Sequence, residues 1–304
     1  QEIASEAGRT MFLSFSINKR GFWAICAAFL TGVLLGLVRM NFSQPAAVDA
    51  AVQEGIPVPV IMYHSILKDE SRQGKYVISP SELESDMKYL RDHGYTAVTV
   101  RDLIAYVNDE GDLPEKPVML TFDDGYYNNY LYAYPPAEKY GMKIIIAPIG
   151  YYTDVFSETG EENGNYSHLT WDRIREMQES GLVEFQNHSY NMHASEKGGR
   201  MGTRQMDGED LQTYTENLTG DLQMMQRKMT ENTGYTPDAF VYPFGLISKS
   251  EPEIIKRLGF QCTFTCEERM NYLTRDPEKL FDLGRYLRPS GRSSDAYFRN
   301  IGVE

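Results

Sequence analysis

Two adjacent carboxylates follow a short apolar run in the middle of the chain. Asp123 and Asp124 lie in TFDDG (121–125), directly after residues 118–120. As a pattern alone, Asp-Asp-Gly is typical of a turn whose aspartate caps the next helix. At the end of a buried strand, however, neighbouring carboxylates repel each other unless a cation or a proton lies between them. We therefore interpret this pair as a candidate site for a cation or for acid–base chemistry.

Two of the five histidines lie in one short polar segment. His188 and His193 bound the sequence HSYNMH, which follows the predicted strand 182–186. A five-residue step places their side chains on opposite faces of a strand and about 140° apart on a helix. They converge only if the chain turns after His188. A lone histidine here would be interpreted as a core or surface residue, but two histidines with an aspartate suit Zn²⁺ and also other divalent ions.

A third cluster, FVYPFG at 240–245, ends a predicted strand with Pro243 and Gly245. A plain turn at the end of the strand explains this pattern. Alternatively, backbone N–H groups beyond the proline point at a negatively charged oxygen that develops during a reaction. The residues by themselves leave both interpretations open.

The elements that must position these clusters alternate between short apolar runs and longer amphipathic ones. The predicted strands are 58–63, 96–100, 118–122, 143–149, 182–186, 239–242 and 260–265. The predicted helices are 79–93, 102–108, 128–140, 170–180, 209–232 and 251–258. This alternation predicts an α/β fold with a parallel sheet, either open or closed into a barrel. In both cases chemistry takes place at the carboxyl ends of the strands, where all three clusters lie.

In their order and approximate spacing, TFDDG, HSYNMH and FVYPFG resemble the motifs of the polysaccharide deacetylases, carbohydrate esterase family 4 (the NodB homology domain). The resemblance covers about residues 58–290. It implies a distorted (β/α) barrel with fewer than eight regular repeats. It also implies metal-dependent hydrolysis of N-acetyl groups on sugars, or of O-acetyl groups in some members.

Carried over to this chain, the resemblance implies a role for each matching residue. Asp123 would be the general base. Asp124, His188 and His193 would bind one divalent metal ion, with Zn²⁺ as the expected ion and cobalt, nickel or iron as alternatives. The backbone N–H of Phe244 would help to form the oxyanion hole.

The chain departs from the family in its general acid. In the family a histidine of a downstream motif usually supplies the acid, but no histidine follows His193 in this chain. An arginine that the family normally has near the third motif is also missing, since Val241 and Tyr242 precede Pro243. His64 ends the predicted strand 58–63 in the sequence MYHS, which resembles the branch that deacetylates poly-β-1,6-N-acetylglucosamine. In that branch the histidine of such a Tyr-His pair acts as the acid. A core histidine bonded to the backbone is the alternative for His64, and His168 is the next candidate acid.

Two arginines near the C-terminus complete the candidate residues. Arg285 and Arg288 lie in the sequence LGRYLR. We predict that they approach the site and orient Asp123. A charged and solvated strand end is an equally good interpretation of the same six residues.

The N-terminal sequence predicts export of the protein. The chain divides into a cytoplasmic N-terminus (1–20), a transmembrane anchor (21–38), a linker (39–56) and a catalytic domain (57–304). The uncharged run GFWAICAAFLTGVLLGLV at 21–38 rises about 27 Å as a helix, close to the thickness of a bilayer core. Lys19 and Arg20 before it favour an extracellular catalytic domain. A cleaved signal peptide ending near Ala50, and hence a secreted protein, is the alternative.

Composition narrows the range of partners. Thirty Lys and Arg against 43 Asp and Glu give a net charge of −13 without a basic cluster, so we expect no nucleic-acid partner. Three cysteines are too few for a fold built on disulfides. Cys262 and Cys266 would lie about 13 Å apart on a strand, beyond the reach of a disulfide.

Taken together, these features predict a membrane-anchored, extracellular, metal-dependent deacetylase of an N-acetylglucosamine polymer, either an exopolysaccharide or peptidoglycan. Its partners would be the polysaccharide and, through the N-terminal helix, the membrane. A non-catalytic glycan-binding module on the same fold is one alternative, although binding alone needs no base beside a metal. A hydrolase of a small cyclic amide is the other.

Overall fold

The computed structural model describes residues 54–195 and 199–304. Its strands are β1 (Ile56–Val58), β2 (Val60–Tyr63), β3 (Ser65–Ile66), β4 (Val77–Ile78), β5 (Thr96–Ala97), β6 (Pro117–Asp124), β7 (Ile144–Pro148), β8 (Val183–Phe185), β9 (Ala239–Val241), β10 (Cys262–Phe264), β11 (Asn271–Leu273) and β12 (Tyr286–Leu287). Its α-helices are α1 (Pro80–Asp92), α2 (Val100–Val107), α3 (Tyr127–Tyr132), α4 (Tyr134–Tyr140), α5 (Gly150–Thr159), α6 (Trp171–Glu179), α7 (Leu211–Thr233), α8 (Glu251–Arg257) and α9 (Ser294–Asn300).

The predicted cytoplasmic segment, the transmembrane anchor at 21–38 and most of the linker lie outside the described residues. Within residues 54–195 and 199–304, no helix combines the length and the apolar character needed to cross a bilayer. The anchor therefore stays a prediction from the sequence.

Seven of the described strands close into a ring of parallel strands. Backbone pairing runs in the order β12, β2, β6, β7 and β8, and β9 pairs with β10. Two single bridges join these groups: Asn187 with Phe240, just after β8, and Phe264 with Leu283, just before β12. The ring agrees with the predicted barrel of fewer than eight repeats. β1 and β11 form a separate antiparallel pair.

The alternation of side chains along β6 separates two apolar clusters. The even-numbered residues from 118 to 122 belong to the cluster that packs against helices such as α1 and α6. Met119 belongs to a second cluster that includes Val241 of β9 and Phe264 of β10. Because strands from opposite parts of the ring contribute to it, this second cluster fills the interior. Asp123 lies on the same face of β6 as Met119 and therefore points into the ring at its carboxyl end.

Three helical regions differ from the sequence prediction, one of them α9, which the predicted elements lack. The predicted helix 128–140 is broken at Ala133 into α3 and α4, with Pro135 and Pro136 in the first turn of α4. A proline lacks the N–H that a helix interior needs, and its ring clashes with the carbonyl four residues earlier. One continuous helix therefore cannot pass this point. The third region is α5, absent from the predicted elements because its aromatic and β-branched residues have low helix propensity.

Candidate active site

Asp123 ends β6 with its carboxylate fixed by a buried arginine. Arg285 Nη1 donates to Asp123 Oδ1 at 2.7 Å, and Nη2 donates to Oδ2 at 2.9 Å. Arg285 is 0% exposed, and its Nε donates to the Thr265 carbonyl at 2.8 Å, which fixes the guanidinium. Burial by itself raises the pKa of Asp123, but Arg285, His188 and His64 together outweigh burial and hold this pKa below its usual value. Asp123 is therefore an oriented, ionised carboxylate.

Asp124 lies where the strand turns. Its φ of 69° is in the left-handed region, which residues other than glycine rarely adopt. Gly125 follows with a φ of 71°, and a Cβ there would lie 2.6 Å from the Cβ of Pro148. Only glycine fits such a position. The turn lets Asp124 face a pair of histidines although it directly follows Asp123.

His188 and His193 converge because the chain turns between them. Ser189, with a φ of 71°, supplies the turn that their spacing requires. The Nε2 atoms of His188 and His193 lie 3.6 Å and 3.3 Å from Asp124 Oδ1. His188 Nδ1 donates to the Val241 carbonyl at 2.7 Å. Because a carbonyl only accepts, Nδ1 carries the hydrogen and Nε2 presents a lone pair to the site.

These three side chains fit a divalent cation. One ligand atom each from Asp124, His188 and His193 lie within 4.8 Å of one another. Asp124 Oδ1 is buried and accepts no hydrogen bond from any described residue, a costly state that a cation relieves. Burial, reinforced by His188, lowers the pKa of His193 to about 4, so its imidazole is neutral at pH 7, the form that binds metals. Three ligands also leave positions for water and substrate.

His64 directly follows β2 and borders the same carboxylate pair. Its Nε2 lies 3.8 Å from Asp123 Oδ2, and its ring meets Tyr76 edge-on with centroids 5.0 Å apart. His64 Nδ1 is buried and has no hydrogen-bond partner within the described part of the chain. The side chain thus lacks the backbone bond of the alternative interpretation. Burial lowers the pKa of His64, and the Asp123 carboxylate opposes this shift.

Phe244 lies in a tight turn, Pro243–Gly245, which Tyr242 separates from the end of β9. Its φ is 59°. In this turn the Gly245 N–H donates to Tyr242 O at 2.9 Å and the Leu246 N–H donates to Pro243 O at 3.3 Å. The Phe244 N–H takes no part in these bonds, and the Phe244 ring lies 4.4 Å from the ring of His193. The N–H group is therefore next to the histidine pair and not used by the turn.

Each of the three motifs thus contains one residue other than glycine in the left-handed region: Asp124, Ser189 and Phe244. Such a conformation costs about 1–3 kcal/mol per residue and persists only where the surrounding structure enforces it. Residues of this kind cluster at functional sites.

Two candidate residues lie away from this centre. Arg288 does not reach Asp123, contrary to the prediction, because its guanidinium binds Asp86: Nε donates to Oδ2 at 2.8 Å and Nη2 donates to Oδ1 at 3.1 Å. Arg288 therefore joins the end of β12 to α1. His168 Nδ1 bonds to the Asp124 backbone carbonyl at 2.9 Å, and its ring stacks on Tyr152.

A cavity of about 520 Å³ connects the groups at the carboxyl end of the ring. Its lining includes His64, Asp123, Asp124, His188, His193 and Phe244. It also includes residues that no sequence pattern indicates: Lys75, Tyr76, Cys266 and Glu268. They lie on separate loops that meet only in the fold, whereas Tyr126, also in the lining, could have been inferred because it follows TFDDG. Cys262 and Cys266 form no disulfide within residues 54–195 and 199–304, in agreement with their predicted separation.

Known proteins share both the sequence pattern and the fold. The polysaccharide deacetylase family matches residues 110–263. The poly-β-1,6-N-acetyl-D-glucosamine N-deacetylase of Escherichia coli K12 is 27% identical over 224 residues, 68% of this chain and 33% of that protein. Its namesake from Staphylococcus aureus MRSA252 is 27% identical over 195 residues, 64% of this chain and 62% of that protein.

A solved de-N-acetylase structure from Aggregatibacter actinomycetemcomitans has a TM-score of 0.66 at 26% identity, covering 81% of this chain and 98% of that one. This chain spans only about a third of the E. coli relative. The family match, by contrast, extends over half of this chain and includes TFDDG, HSYNMH and FVYPFG. With this match and the shared fold, the chain belongs to the polysaccharide deacetylase family.

Proposed function

We propose that the protein is a metal-dependent deacetylase that hydrolyses N-acetyl groups of a poly-β-1,6-N-acetylglucosamine-like polysaccharide. One observation carries this proposal: the oriented, ionised Asp123 lies beside a three-ligand cation site, and both line one cavity. A glycan-binding module needs no base next to a cation. The arrangement therefore supports catalysis over binding alone.

The chain supplies a group for each step of amide hydrolysis. A divalent cation held by Asp124, His188 and His193 would polarise the acetyl carbonyl and acidify a water molecule. Asp123 accepts a proton from the attacking water, while Arg285 keeps both carboxylate oxygens in place.

Stabilisation of the oxyanion and protonation of the leaving amine are assigned to residues that follow two other strands of the ring, β9 and β2. The Phe244 N–H donates to the oxyanion that develops from the carbonyl oxygen. His64 Nε2 donates a proton to the departing amine, and burial makes protonated His64 a stronger acid by lowering its pKa. His64 borders the cavity beside Asp123, which supports this role.

The names of the E. coli and S. aureus relatives support the choice of polymer, since both specify poly-β-1,6-N-acetyl-D-glucosamine. They favour an exopolysaccharide over peptidoglycan. The Tyr63–His64 sequence, which resembles the same branch, supports this choice independently.

Acetate release by the full-length protein tests the function. We expect release from poly-β-1,6-N-acetylglucosamine above that from chitooligosaccharides or peptidoglycan, loss with a chelator and recovery with Zn²⁺. Binding of the polymer without acetate release would establish the glycan-binding alternative. Ring opening of a small cyclic amide without activity on polymers would establish the other alternative.

We further propose that residues 21–38 anchor the protein in the membrane with residues 57–304 outside the cell. The uncharged run between Arg20 and Arg39 supports this topology. An N-terminal reporter should then be cytoplasmic, and the catalytic domain should be accessible to added protease. A soluble mature protein that begins near Ala51 would show cleavage and secretion instead.

A further inference from the structure

The segment between the two histidine ligands is held from several directions. The Ser189 N–H donates to Asn187 Oδ1 at 2.8 Å. From the start of α5, the N–H groups of Gly150 and Tyr151 donate to the carbonyls of Ser189 and Tyr190 at 3.1 Å and 2.7 Å. These bonds fix the carbonyl side of the segment. Its N–H groups at Tyr190 and beyond need acceptors of their own.

Asp221 supplies those acceptors. Its Oδ1 accepts from the Tyr190 N–H at 2.8 Å, and its Oδ2 accepts from the Asn191 N–H at 2.7 Å. Both oxygens of one half-buried carboxylate thus bind successive backbone N–H groups. Hydrogen bonds to an ionised acceptor are about twice as strong as neutral ones. No step of the proposed hydrolysis uses this carboxylate.

The helix that carries Asp221, α7, is held in place by buried side chains. On α7, Leu218 and Leu222 are buried on the two sides of Asp221 in the sequence. The Leu222 carbonyl also accepts from Asn187 Nδ2 at 3.2 Å, directly before His188. The same helix therefore holds the chain immediately before the first ligand and again midway to the second.

We propose that Asp221 is a positioning residue that sets the affinity of the cation site by holding residues 188–193 in the ligating conformation. This role rests on the proposed function, because it requires a cation bound by His188 and His193. Without the carboxylate, two neighbouring N–H groups lose their acceptor, and the segment gains conformations in which the imidazoles diverge. Groups that orient metal ligands in this way typically contribute 10–100-fold in metal affinity.

Direct metal binding tests the proposal. Full-length wild type and Asp221→Asn are stripped of metal and titrated with Zn²⁺ by calorimetry. The amide keeps the shape of the side chain but presents an NH₂ group to one of the two N–H donors. We expect the dissociation constant of Asp221→Asn to rise about 10–100-fold, and its kcat for acetate release to recover at saturating Zn²⁺. Glu231→Gln, which removes a charge from an exposed position on α7, is the matched control and should bind Zn²⁺ like the wild type.

Equal Zn²⁺ affinity of Asp221→Asn and the wild type would overturn the role of Asp221 and leave the proposed function intact. A wild type that binds no divalent cation would overturn both. If Asp221→Asn does not fold, Asp221→Glu decides the question, because it keeps the charge and displaces the carboxylate by one methylene. The same weakening is expected, and unchanged affinity again contradicts the proposal.

Discussion

Arg285 and Asp123 form two parallel hydrogen bonds although 162 residues separate them in the chain. Arg285 lies just before β12, the strand that pairs with β2 and completes the ring. The orientation of the carboxylate at the end of β6 therefore depends on the docking of the last strand. The Arg285–Asp123 pair thus couples closure of the ring to the orientation of the Asp123 carboxylate.

Replacing Arg285 by lysine keeps the charge and removes the planar fork. Asp123 then loses its fixed orientation, and a misplaced catalytic group costs up to about 10²-fold. We expect kcat to fall by about 10–100-fold, with Zn²⁺ affinity in calorimetry unchanged. Arg288→Lys is the control, because Arg288 binds Asp86. It should lower the melting temperature and leave kcat nearly unchanged, and the reverse pattern would contradict both assignments.

His188→Ala removes a cation ligand whose Nε2 lies 3.6 Å from Asp124 Oδ1. We expect loss of both bound metal and turnover, measured by elemental analysis and acetate release. His93→Ala, at an exposed position on the end of α1, should change neither. Stoichiometric metal in His188→Ala would show that His188 is not a ligand.

Asp123→Asn separates the base from the ligands. The amide cannot accept the proton of the attacking water, so turnover should fall by roughly 10²–10⁴-fold. The metal content should stay nearly intact, because Asp124 and not Asp123 faces the histidines. Loss of metal in Asp123→Asn would mean that the two aspartates have exchanged roles.

His64→Ala tests the proton donor. An amine leaves a tetrahedral intermediate poorly unless it is protonated, so turnover of N-acetyl substrates should fall by about 10²–10⁴-fold while metal binding persists. An activated ester has a good leaving group and should be affected much less. Equal losses on amide and ester would refute the assignment, and His168→Ala would then be examined.

Glu251 gives a prediction about stability and pH. Burial raises the pKa of Glu251 from 4.5 to about 7. The hydrogen bond that its carboxylate accepts from the Ser248 N–H at 2.9 Å acts in the opposite direction and lowers the pKa. The folded protein thus holds this proton more tightly than the unfolded chain. Its contribution to the free energy of unfolding falls as the pH rises from about 4.5 to about 7.

Glu251→Gln removes this titration and can keep the bond from Ser248. In urea unfolding at pH 8, the free energy of unfolding of the variant should exceed that of the wild type by up to about 3 kcal/mol. This difference should vanish near pH 4. Glu253→Gln, exposed on the same helix, should show no such trend. An equal loss of stability at both pH values would rule out a buried titrating carboxyl.

Local features of the site were predictable from the sequence. The predicted strand 118–122 lies within β6, which continues through Asp123 and Asp124. The turn that His188 and His193 require is present at Ser189. These features depend on hydrophobic periodicity and on spacing within a few residues, which short-range sequence patterns record.

Long-range partners were not predictable in the same way. The sequence LGRYLR does not distinguish Arg285, which binds Asp123, from Arg288, which binds Asp86. The choice depends on which buried carboxylate each guanidinium meets after the ring closes. Likewise, the lining residues Tyr76 and Glu268 approach the cavity from loops far apart in the chain.

The left-handed conformations at Asp124, Ser189 and Phe244 bear on how this protein would respond to selection for heat resistance. Glycine at Ser189 or Phe244 would relieve about 1–3 kcal/mol of strain at each position. Asp124 cannot change in this way without losing its carboxylate. Variants evolved for thermostability alone are therefore expected to accumulate glycine at positions 189 and 244, whereas position 124 stays aspartate only while selection for activity continues. The substitutions would show at which of these positions the backbone strain can be removed without loss of activity.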